Sequence, residues 1–353
     1  MRMRHPLLRL TMALSLSLGV LVHAQDDFLM TRFGDYLEAL RSQARIPGLA
    51  AAIVGPDAVN WERVFGLADI DRNIAVRIDT PFELDDTTQA IVAAQALKCA
   101  SDGLLSLDDP VGKFASSSPD AGATLRQLLT HTTAAASGLT FSYRPERLEP
   151  LAAAIAACRD STFRSATAGL LRRMAMNDSV PGSDIVRLTP PAEGFDASAL
   201  EHYAAVLPRL ATPYALDGHR RPTPSSYAAP TLTPASGLIA SVADLERFDL
   251  FLKKGELSPE WLALAWTPPT GANGAPLPHA YGWFVQPYNG ELIVWQFGVS
   301  DNASSSMIIR VPRRGVTLIL LANSSGLARP FSLAAGDITV SPFARLFLSI
   351  FVR

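Results

Sequence analysis

The sequence predicts an α+β fold in which an antiparallel sheet is assembled from the two ends of the chain and a mainly helical lobe is inserted between them. Two β-rich runs near the N terminus, three near the C terminus and a long alanine-rich amphipathic stretch between them carry that prediction. The expected organisation is an α/β lobe of residues 25–82 and 235–353, a helical lobe of residues 83–234, and a cleft where the two meet.

The elements follow in chain order. Arg2, Arg4 and Arg9 precede an apolar stretch from Leu10 to Val22 and the small-residue pattern Val22-His23-Ala24. That layout is a signal peptide of residues 1–24, cleaved after Ala24, which leaves residues 25–353 as a periplasmic or secreted domain. The apolar run is too short to span a bilayer comfortably, so no membrane contact is expected after cleavage. Residues 27–45 put Phe28, Phe33, Tyr36, Leu37 and Leu40 at helical spacing, and Pro47-Gly48 ends that helix. Leu49 to Val54 and Val59 to Gly66 read as strands joined by the turn Gly55-Pro56-Asp57. Helical patterning starts at Ile91 to Leu105 and runs to about residue 250. Within it, residues 212–235 are rich in Pro and Thr and read as a long surface connection. ELIVWQFG, SSMIIRVP and VTLILLANS supply the C-terminal strands, and SPFARLFLSIFVR is a short helix packed on the core.

The 353 residues are 48% hydrophobic and 18% charged, enough apolar side chain for a substantial core. A formal charge of -2 offers no basic field to a phosphate backbone, which excludes nucleic acid as a partner. Cys99 and Cys158 are the only cysteines and lie in alanine-rich apolar stretches. Two buried free thiols are the default reading, although an oxidising compartment permits pairing. The six histidines are scattered without an HExxH pattern, so no metal site is expected. Neither a phosphate-binding glycine loop nor a dinucleotide fingerprint is present, so no cofactor is expected. There is also no G-x-S-x-G elbow.

The segments IPGLAAAIV, GLADID, DTPFEL, DGLLSLDDPVGKF, TLRQLLTHTT, MAMNDSVPG, SGLIASVADLERF and GVTLILLANSS occur in this order along the chain. In that ordered set the sequence resembles the class C β-lactamase-related family, which includes penicillin-binding proteins, D-aminopeptidases and esterases. The resemblance implies the β-lactamase/transpeptidase-like fold. It also implies three motifs: Ser-x-x-Lys at a helix start, Tyr-x-Asn or Ser-x-Asn in a loop, and Lys/His-Thr-Gly on a strand. A serine hydroxyl needs a nearby base, which a lysine one helical turn later supplies, and two backbone N–H groups then hold the oxyanion.

All three motifs depart from the family pattern. In PFELDDTTQAIVAA, Asp86 aligns with the serine and Gln89 with the lysine. A carboxylate puts negative charge where the substrate oxygen must become negative, and an amide accepts no proton. The four lysines, at 98, 113, 253 and 254, follow Gln95, Pro110, Leu250 and Phe251 by three positions, so no Ser-x-x-Lys exists anywhere. In TFSYRPERLEPLAAAI, Tyr143 takes the tyrosine place and Pro145 the asparagine place. In LIVWQFGVSDNASSSMII, Gln296, Phe297 and Gly298 take the places of Lys or His, Thr and Gly. These seven residues are expected to line the cleft, with no catalytic residue among them.

Asp86-x-x-Gln89 also reads as a capping box at a helix N terminus, and Tyr143 as a packed tyrosine. His131 reads as structural, and His202, His219 and His279 as surface or loop residues. The expected function is a non-catalytic binding or regulatory relative with a small molecule or peptide in the cleft, or a protein partner. The alternative is an esterase, peptidase or β-lactamase acting through other residues.

Overall fold

The computed structural model describes residues 28–228 and 230–352. The expected signal peptide, residues 1–24, lies outside the described residues.

Helix α1 (28–43) leads into strands β1 (Gly48–Val54), β2 (Val59–Asp69) and β3 (Ile74–Ala75). The middle of the chain holds β4 (Phe82–Glu83), α2 (Thr88–Ser101), α3 (Leu125–Leu129) and the hairpin β5 (Thr132–Ala135) and β6 (Gly138–Phe141). There follow α4 (Leu151–Arg159), α5 (Phe163–Arg173), β7 (Val180–Pro181) and α6 (Ala197–Val206). After the strand pair β8 (Tyr214–Leu216) and β9 (Pro222–Pro224) come β10 (Leu238–Ala240), α7 (Val242–Lys253) and α8 (Pro259–Ala265). Strands β11 (Phe284–Tyr288), β12 (Glu291–Ser300), β13 (Ser304–Val311) and β14 (Val316–Ala322), then α9 (Pro342–Phe351), close the chain.

The two ends of the chain meet in one seven-stranded sheet of order β11-β12-β13-β14-β1-β2-β3, antiparallel throughout. Beside its central strand β14 runs β1, GLAAAIV, whose every residue is buried. Side chains alternate across a strand, so Leu49, Ala51 and Ile53 join Phe33 of α1 and Phe343 and Phe347 of α9 on one face. Ala50, Ala52 and Val54 join Ile91 of α2 and Leu245 and Phe248 of α7 on the other. Each large apolar side chain so buried contributes about 1.5–3 kcal/mol. The sheet is thus the middle layer of three, which explains why β1 reads as an apolar run rather than an alternation.

Two elements differ from the sequence reading. The Pro- and Thr-rich stretch pairs as β8 and β9, and Tyr214 within it is buried, its hydroxyl accepting a bond from the Ile70 N–H at 2.7 Å. Strand β11 escapes the pattern because it is short and contains Pro287, tolerated because β11 is an edge strand.

Helix α2 is alanine-rich, which favours helix. It stops at Asp102 and Gly103, the glycine taking the left-handed φ of 72° that follows many helices. The two thiols read by default as free are joined: Cys99 of α2 and Cys158 of α4 form a disulfide with Cα atoms 6.1 Å apart. Apolar surroundings describe burial, but only the docking of α4 on α2 brings the sulfurs together.

Candidate functional site

The aligned motif positions converge where the start of α2 meets β12, and the local chain there is shaped by close backbone contact. Asp85 has a left-handed φ of 50° and leads through one 3-10 turn, Asp85–Thr87, into α2. The Ser304 hydroxyl donates to Asp85 Oδ2 at 2.7 Å, and the Ser306 hydroxyl donates to the Leu84 carbonyl at 2.7 Å. Gly298 faces the same carbonyl so closely that a Cβ would stand 2.1 Å from it. Glycine is required here for approach, whatever its side-chain chemistry.

The expected capping box is absent. Neither the 3-10 turn nor α2 has a side-chain cap bond, because the Gln89 amide is turned inward to other partners. True capping boxes stand at Thr124 with Gln127, opening α3, and at Ser241 with Asp244, opening α7.

In front of the helix start runs a directed series of hydrogen bonds. The Arg144 N–H donates to His131 Nδ1 at 3.2 Å, which leaves Nε2 to carry the ring proton. His131 Nε2 lies 2.9 Å from Gln89 Oε1, and Gln89 Nε2 donates to the Tyr143 oxygen at 3.0 Å. The Tyr143 hydroxyl lies beside the Asp86 carboxylate and favours its charged form. Burial, reinforced by the Arg147 guanidinium, lowers His131 to about 3, so the ring stays neutral. Burial raises Asp86 to about 7, the Tyr143 hydroxyl pulling against that rise. The donors in the series run toward Tyr143, and Asp86 beside it is the group there that changes charge near neutrality.

Not all seven expected positions face an open cleft. Asp86, Tyr143 and Pro145 are partly exposed, while Gln89, Gln296, Phe297 and Gly298 are buried. Gln296 donates to the Gly282 carbonyl at 3.1 Å and accepts from the Phe297 N–H at 2.9 Å, so its amide serves the backbone. Phe297 is packed, its ring 5.6 Å from Tyr143 and 5.8 Å from Phe284. Pro145 opens the short turn Pro145–Leu148, whose Arg147 is buried and paired with Asp120 at 2.8 Å.

His279, expected at the surface, is fully buried, its ring 4.7 Å from both His131 and Phe284. His202 and His219 are exposed. His131, read as structural, is buried and hydrogen-bonded, whereas the burial of His279 escaped the sequence because a histidine among polar and small residues has no periodic signature.

A model of the family described as Beta-lactamase matches residues 33–339. The chain belongs to the Beta-lactamase family. Among solved structures this family member is similar to the octameric penicillin-binding protein homologue from Pyrococcus abyssi, with TM-score 0.71 and 19% identity over 92% of this chain and 77% of the other. It is equally similar to a β-lactamase from Sulfitobacter sp. EE-36, with TM-score 0.71 and 18% identity over 92% of this chain and 98% of that one. The fold is therefore the β-lactamase/transpeptidase-like one expected. Protein flp of Staphylococcus aureus (strain MW2) is 23% identical over 80% of this chain, which spans 60% of that protein's length. Esterase EstB of Burkholderia gladioli is 32% identical over 27% of this chain and 26% of its own length.

Proposed function

We propose that this protein is a non-catalytic member of the family that binds a ligand at Asp86 and works outside the reducing cytosol. The observation that carries the reading is the hydrogen-bond series from His131 through Gln89 to Tyr143, with the Asp86 carboxyl beside it. It occupies the aligned serine and lysine positions with an acid and a buried amide, neither of which supplies a nucleophile with its base. A terminal carboxylate at a partly exposed position favours a ligand that donates, an amine or a hydroxyl, over an anionic one. The Cys99–Cys158 disulfide supports an oxidising compartment, in keeping with the signal-like N terminus.

Intact-mass spectrometry after exposure to a fluorophosphonate and to a penicillin, alongside hydrolysis of an activated ester, tests the reading. No adduct and no turnover is expected. A stoichiometric adduct on one Ser or Thr would overturn it.

One observation favours a second reading, hydrolysis with Asp86 as acid or base. A carboxyl near 7 beside a tyrosine is suited to proton transfer at neutral pH. Ester turnover that follows Asp86 ionisation and vanishes in Asp86→Asn would select it.

A further inference from the structure

A second site lies apart from the Asp86 region, where the ends of α1 and α9 approach the β8–β9 hairpin. A cavity of about 670 Å³ there is lined by Arg220, Arg329 and Arg345 and, among the described residues, by no carboxylate. Its walls include Leu216 and Val340, apolar side chains 40% and 37% exposed. Leu40, Gln43, Pro342 and Arg345 also line a groove of about 390 Å³ that continues between α1 and α9 past Tyr36 and Leu346. The three guanidiniums are engaged to different degrees. Arg345 donates to the Thr339 carbonyl at 2.9 Å, and Arg329 pairs with Asp301 on the exposed surface. Arg220, at a left-handed φ of 59° beside β9, makes no side-chain hydrogen bond or ion pair among the described residues.

We propose that this cavity binds a single-chain anionic amphiphile, with its carboxylate or phosphate head on the arginines and its apolar chain in the α1–α9 groove. Guanidinium matches such a head in charge and in planar two-pronged geometry. A compact inorganic anion would leave the exposed apolar walls uncovered, and a neutral chain would leave Arg220 unanswered.

The test is calorimetric titration of the full chain with laurate below its micelle concentration, beside dodecyltrimethylammonium and acetate. Saturable binding of laurate alone is expected, weakened about tenfold or more in Arg220→Ala/Arg345→Ala. Leu216→Asp, which sets a carboxylate in the wall, should weaken it similarly, and circular dichroism melts confirm that both variants fold. Equal binding of the cationic amphiphile, equal binding of acetate, or unchanged affinity in both variants would overturn the proposal.

Discussion

Behind and in front of the start of α2 the molecule is built by different means. Behind it, backbone nearly touches backbone: Gly298 lies against the Leu84 carbonyl, with Ser304 and Ser306 bonding the turn that carries Asp85 and Leu84. In front, side chains fill the space, with Phe297, Tyr143, Phe284 and His279 packed together and Gln89 bridging His131 and Tyr143. The back fixes where the helix begins, and no aligned position there needs chemistry. The front is where a nucleophile and its base would have to be reachable, and there Gln89 and Phe297 are buried while Asp86 and Tyr143 stay partly exposed. The fold thus keeps its helix start in place while two of the aligned front positions, Gln89 and Phe297, lie in the interior.

That contrast can be broken by substitution. The largest effect is expected from Phe297→Ala, which empties a packed aromatic site and should cost about 4 kcal/mol in a denaturant titration. If the front were an open cleft the loss would be slight. Gly298→Ala should cost about 3 kcal/mol, since the new methyl meets a carbonyl that cannot yield without moving the helix start. Gln89→Ala should cost about 2 kcal/mol by stranding the His131 N–H and a Tyr143 acceptor. Gln89→Glu, which retains an acceptor for His131 but loses the donor to Tyr143, separates the two halves of the bridge.

A further effect is a dependence on pH. The folded Asp86 carboxyl sits at about 7, above its ordinary 3.8, so between these values the folded protein holds a proton that the unfolded chain has released. Stability from this group is complete below about pH 4 and is lost as pH rises through 7. Asp86→Asn, neutral throughout, should match the native protein near pH 4 and melt higher than it above pH 7. Parallel melting curves across that range would show that Asp86 is better solvated than its surroundings imply.

Much of the fold is legible in the residues. The apolar run of β1, the three C-terminal strands, the α1 periodicity and the amphipathic terminal helix each carry a local pattern, because burial repeats with the period of the element. The aligned positions Asp86, Gln89, Tyr143 and Phe297 were also readable, since order along the chain located them. Their surroundings were not. A capping box and an inward-turned amide use the same Asp-x-x-Gln spelling, and Thr124-x-x-Gln127 is the box that forms.

What the sequence determined by itself was the layered α+β architecture, its family and the absence of any Ser-x-x-Lys pair. What only the tertiary structure decided was the Cys99–Cys158 bond, the burial of His279 and the direction of the hydrogen bonds that run from His131 through Gln89 to Tyr143. Local patterns report a single element's own period, whereas a disulfide, a buried ring or a directed bond depends on partners far away in sequence whose approach is set by packing.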